Sequence, residues 1–105
     1  MKVRQVISES SGRAVANQFI IRHDFKFTNA EGQEKTGTKE VFQSYDSVIV
    51  EIINNGWEQT VKLDRNKWDY STTTGRYRNQ FLGEKKAETL KKIKSGEYIL
   101  ADLNK

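Results

Sequence analysis

Residues 68–103, WDYSTTTGRYRNQFLGEKKAETLKKIKSGEYILADL, decide the fold. They read as a local programme: a polar turn, a short basic helix, a glycine break, a second basic helix, another glycine break and a closing strand. Ser71, Thr72, Thr73 and Thr74 each offer a hydroxyl that can accept a bond from an orphan N–H of a first helical turn. Four in a row fix a helix start without fixing its register. Tyr77 and Phe81 are four apart and share a face, with Leu82 beside them. Gly83 suits a C-terminal cap, where positive φ is wanted.

In the second helix Glu84 lies near the start, where the macrodipole favours negative charge. Ala87, Leu90 and Ile93 recur every three residues and give a narrow apolar stripe. Lys91, Lys92 and Lys94 crowd the last turn, and Glu88 and Lys92 are spaced as an i,i+4 pair. Ser95-Gly96 stops the helix. Tyr98, Ile99, Leu100, Ala101 and Leu103 read as a strand.

Upstream, the chain reads as sheet for these helices to pack on. Val3, Val6 and Ile7 suit a short strand before the polar run Ser8–Gly12, so residues 1–14 are an edge strand or a flexible terminus. Phe19, Ile21, His23, Phe25 and Phe27 share one parity, which predicts a long strand with that face buried. Asn29-Ala30-Glu31-Gly32 is a hairpin turn, and Glu34–Tyr45 is its return strand. Asp46-Ser47 marks a bend or bulge. Val48–Ile53 is the most apolar run, and its β-branched residues favour a central strand, with a short helix over Ser47–Asn54 the alternative. Asn54-Asn55-Gly56 turns the chain into Trp57, Gln59, Val61 and Leu63, a partner strand. Trp57 and Trp68 read as core anchors. The expected fold is α+β: an antiparallel sheet of four to five strands, two short C-terminal helices packed on one face, and a closing strand. Residues 15–105 form its single domain.

The 105 residues hold 35% hydrophobic and 30% charged side chains, enough for one modest core. With no cysteine, disulfides and thiolate metal sites are excluded. No run approaches the roughly 20 apolar residues of a membrane helix, so the expected place is the cytoplasm. The net charge of +4 is unevenly spread. From Arg76 to Lys94 there are seven basic and two acidic residues, a net of +5, against eleven basic and twelve acidic in the remainder. Such an excess attracts phosphate or an acidic protein surface, or simply keeps a helix face solvated.

The segments Phe42-Gln43-Ser44-Tyr45, Trp68-Asp69-Tyr70-Ser71, Thr73-Thr74, Tyr77-Arg78-Asn79, Phe81-Leu82-Gly83 and Ile93–Asn104 resemble small uncharacterised proteins encoded in bacteriophage genomes. Those share a tail of the form Y-S-x-T-T-x-x-Y-R-N-x-F-L-G, a lysine-rich helix, then G-E-Y-x-L-x-x-L-N. The resemblance covers about the last 65 residues. It implies expression in a bacterial host cytoplasm and an accessory role, and by analogy binding to a host or defence-system protein. It brings no activity to carry over.

The residues themselves argue against chemistry. His23 is the lone histidine, with Asp24 on the opposite strand face, so no dyad is in reach. No phosphate-binding glycine loop occurs, and no His, Asp and Glu spacing suits a metal. Asp64 and Asp69 flank a turn and read as turn chemistry. No catalytic, cofactor or metal residue is expected. The candidate partner-binding residues are Tyr70, Arg76, Tyr77, Arg78, Lys85, Lys86, Lys91, Lys92 and Lys94. Hydroxyls, helix-start N–H groups and arginines over Ser71–Arg78 could converge on a phosphate or carboxylate, with Tyr70 and Tyr77 as stacking surfaces, or could be an N-cap with core tyrosines. The partner expected is a host or defence-system protein; the alternative is a nucleic acid held by the patch from Arg76 to Lys94.

Overall fold

The computed structural model describes residues 1–56 and 58–105, so the anchor role expected of Trp57 lies outside the described residues. The elements run β1 (Lys2–Ile7), β2 (Ala14–Thr28), β3 (Glu34–Ser44), β4 (Ser47–Asn54), β5 (Gln59–Asp64), α1 (Thr72–Leu82), α2 (Lys86–Ser95) and β6 (Tyr98–Ala101). The fold is α+β, with one sheet of six strands rather than four to five, in the order β1 to β6. The first five strands pair antiparallel. β6 pairs parallel to β5, because α1 and α2 carry the chain back along the sheet before it closes. Residues 2–7 form one edge of the sheet, and Ser47–Asn54 is a strand rather than a helix.

The turns follow their residues. Asn29 accepts from the backbone N–H of Glu31 at 3.1 Å and of Gln33 at 2.9 Å, closing the β2–β3 hairpin. Asp64 accepts from Asn66 N–H at 3.2 Å and Leu103 N–H at 2.8 Å, which ties the C-terminal tail to the end of β5. Between Phe42 and Gln43 the β3–β4 register shifts at a bulge.

One row of in-register residues carries the core. Ile20 lies opposite Phe42, Phe42 opposite Val50, Val50 opposite Leu63 and Leu63 opposite Leu100. Tyr77, Phe81, Leu82 and Ile93 of the two helices pack on this side, with Trp68 and Tyr98. Both helices therefore cover one face.

Along β2 the Phe19–Phe27 parity is half-buried, with Arg22, Asp24 and Lys26 exposed between its members, but it is not the face that the helices cover. Gln18 and Ile20 face the helices, while Phe19, Ile21, His23, Phe25 and Phe27 lie on the uncovered face. Pairing with β3 settles this, since Ile20 must match Phe42, which meets the helix layer. The uncovered face has its own row: Val3, Ile21, Val41, Glu51, Lys62 and Ile99, each opposite the next.

Candidate contact surfaces

The helical layer is built as its caps dictate. Ser71 is the N-cap of α1, and its hydroxyl accepts from Thr74 N–H at 3.1 Å. Gly83 and Gly96 close α1 and α2 at φ 70° and 84°, a region that costs other residues a Cβ clash. Inside the layer Thr74 shares a 2.8 Å hydrogen bond with Ser44 of β3. Gln80 of α1 donates to Ile7 C=O at 2.6 Å and accepts from Glu9 N–H at 3.1 Å, which fastens the end of β1 to the helix.

The residues expected to bind a partner divide sharply. Arg78 is 1% exposed. Its guanidinium donates to Trp68 C=O at 2.7 Å, Asp69 Oδ1 at 3.2 Å and Asn79 Oδ1 at 2.9 Å, and lies 5.2 Å from the Trp68 ring centroid. Tyr77 is 8% exposed and belongs to the core. Tyr77 is turned inward because the Tyr77–Phe81 face of α1 meets the sheet, while the donors of Arg78 are taken up by Trp68, Asp69 and Asn79.

Several of the cations are held by the protein's own acids. Lys86 pairs with Asp69 at 2.6 Å and Lys92 with Glu84 at 2.8 Å. Lys91 approaches Glu88 at 4.0 Å, so the pair expected between Glu88 and Lys92 is replaced by two others. Glu84 reaches Lys92 because it precedes α2 and turns inward, where Thr89 donates to it at 2.6 Å and Tyr98 at 2.8 Å. The inward side of α2 is therefore Thr89 and Ile93, not the Ala87–Leu90–Ile93 stripe; Leu90 is 36% exposed.

These networks set the charge states. Burial pulls the Asp69 carboxyl upward, but hydrogen bonds from Lys86 and Arg78 outweigh it and hold Asp69 below its ordinary value. Glu84 is balanced the same way by Lys92, Thr89 and Tyr98 and also sits low. The Tyr98 hydroxyl is pushed up to about 12, first by burial and then by its bond to Glu84. The bond to Glu84 holds Lys92 above its ordinary value.

Arg76, Lys85 and Lys94 remain exposed with no ion pair among the described residues. Tyr70 is exposed, with Lys67 Nζ 5.0 Å from its ring centroid. An open depression of about 650 Å³ at the start of α1 gathers Tyr70, Ser71, Arg76 and Lys86. Arg78 and Asp69 also line it; Asp69 engages both Lys86 and Arg78, which leaves the lining with two positive charges over and Arg76 with no ion pair among the described residues.

A second unpartnered feature is the uncovered sheet face. Val41, 7% exposed, sits at its centre between Ile21 and Glu51, outside the core beneath the helices. Phe19, Ile21, Phe25, Phe27 and Ile53 are half-buried, while Val3 and Ile99 are exposed. The Phe25 ring fills the space a side chain at Gly37 would take: a Cβ there would lie 2.5 Å from Phe25 Cζ. The signal for this surface is the odd-numbered run of β2. It is legible in the sequence, but alternation does not say which side the helices take.

Among the described residues no group of three or more His, Cys, Asp and Glu side chains is placed to hold a metal ion. No described helix is long and apolar enough to cross a membrane.

A family model covers residues 1–97, and its description is a family of unknown function (DUF8033). The chain belongs to that family. The match includes the first 40 residues, which the phage-type tail motif leaves out. No curated protein matches the chain. No solved structure matches it either.

Proposed function

We propose that this is a non-enzymatic accessory binding protein of the phage type, acting on a host or defence-system protein in the bacterial cytoplasm. The observation that carries the reading is the sheet face that no helix covers. An antiparallel sheet that faces water on one side normally alternates apolar-in and polar-out. This one puts Phe19, Ile21, Phe25, Phe27, Val41 and Ile53 on its outer side. Apolar residues gathered on an outer face in this way mark a contact site. Its aliphatic centre of Ile21, Val41 and Ile53 favours a protein, and the rings beside it are half-buried, that of Phe25 lying over Gly37.

The test is capture from a bacterial lysate by wild-type protein and by a variant carrying Ile53→Glu and Ile99→Glu. Both positions are on the outer face, so melting temperature checks that the fold is kept. The expected result is a specific band with wild type and none with the variant. Equal capture by both would remove the assignment of this face.

A second reading, nucleic-acid binding by the helical patch, is favoured by the unpaired cations Arg76, Lys85 and Lys94. Three phosphate contacts give a salt slope of about −2.7 on duplex DNA. A flat salt titration would remove it.

A further inference from the structure

We infer that the outer sheet face takes an apolar protein segment bearing acidic residues, an inference that rests on the reading just proposed. The argument is the charge left on that face. Among the described strand residues, Lys35, Lys39 and Lys62 lie on it against one carboxylate, Glu51, which Lys62 stands directly opposite. Lys39 pairs with Glu51 at 3.5 Å, so that carboxylate is already engaged. Lys35, opposite Phe27 at the hairpin end, and Lys62, on β5, have no ion pair among the described residues.

The arrangement is that of a contact patch: an apolar centre of Ile21, Val41 and Ile53, flanked by unpaired positive charge. Flanking charge selects a partner by its sign more than it adds affinity. A second copy of the chain would oppose two such faces, each with unpaired lysines and, among the described strand residues, no free acid, and like charges facing across an interface are costly. Nucleic acid would meet the Glu51 carboxylate and an aliphatic centre, while the half-buried rings of Phe25 and Phe27 lie 6.1 Å apart and that of Phe25 covers Gly37. A segment with apolar residues toward the centre and Asp or Glu toward Lys35 and Lys62 satisfies both halves of the patch.

The probe is a displayed random library of peptides of about 16 residues, long enough to cross a sheet face. It is selected on immobilised wild-type protein, then tested on the variant Lys35→Glu with Lys62→Glu, whose melting temperature confirms its fold. The expected result is enrichment of apolar peptides with Asp or Glu, and about tenfold weaker binding to the charge-reversed protein. Neutral or basic winners, binding that ignores the reversal, or no enrichment overturn the inference. So does displacement by oligothymidylate, which would make the occupant a nucleic acid. A wild-type dimer that Ile53→Glu dissociates would make it a second copy. Failure here with lysate capture still dependent on Ile53 and Ile99 leaves the binding-protein reading standing; loss of that capture as well removes both.

Discussion

Phe81 of α1 stacks on Phe42 of β3, with ring centroids 5.8 Å apart and planes 26° from parallel. This contact joins the helical layer to the middle of the sheet, since Phe42 is fully buried in the row from Ile20 to Leu100. Phe42→Ala leaves a ring-sized void there and is expected to cost about 3–5 kcal/mol. Phe81, only partly buried, costs less. Denaturant unfolding of the two variants checks both the size and the order.

The two arginines of α1 give opposite results. Arg78→Ala removes three hydrogen bonds and leaves Trp68 C=O and Asn79 Oδ1 without that donor, while Asp69 keeps Lys86; the expected loss is about 1–3 kcal/mol. Arg76→Ala touches solvent and is expected to stay within about 0.5 kcal/mol of wild type. Lysine does not rescue position 78, because one ammonium cannot reach Trp68, Asp69 and Asn79 together. Equal melting temperatures for the two alanine variants would contradict the structure.

Acid should weaken the fold through Glu84 and Asp69. Both carboxyls are held below their ordinary values of 4.5 and 3.8. A group whose folded value is depressed stabilises the fold above its unfolded value, and that contribution is lost as pH falls through the folded one. Thermal melts should therefore be level above about pH 5 and decline below it. Glu84→Gln should be less stable at neutral pH and decline less in acid, because one titrating group is gone.

Gly37→Ala tests the outer face as structure. The new methyl meets Phe25 Cζ at 2.5 Å and Asn54 C=O at 2.7 Å, and the backbone oxygen cannot swing aside. Overpacking of this kind costs about 1–3 kcal/mol. Combining it with Phe25→Ala relieves only the ring clash, so partial recovery is the expected outcome.

How much of this is legible in the sequence depends on the scale of the signal. The caps at Gly83 and Gly96 and the Asn29 turn are local chemistry, written within a few residues, and they are where the sequence puts them, while the N-cap falls on Ser71, the first of four hydroxyls that the sequence leaves open. The side of the sheet that the helices cover is not local. Phe19–Phe27 and the run Gln18, Ile20 differ by one residue of register, and only pairing with β3 separates them. A polar residue made internal by another polar residue is equally hidden: Thr89 is buried because Glu84 accepts its hydroxyl, and no hydropathy pattern anticipates that. For the same reason Arg78 looks like a surface residue in a basic stretch until Trp68 and Asp69 fold over the guanidinium, whereas the burial of Tyr77 follows the face it shares with Phe81.

The central claim is that the contact surface is the bare face of the sheet and not the basic helices. A photo-crosslinking residue placed singly at Ile21, Phe25 and Ile53, and in parallel at Arg76, Lys85 and Lys94, tests it in a bacterial lysate. The account predicts protein adducts from the three sheet positions and none from the three helix positions. Adducts from the helix positions alone would contradict it.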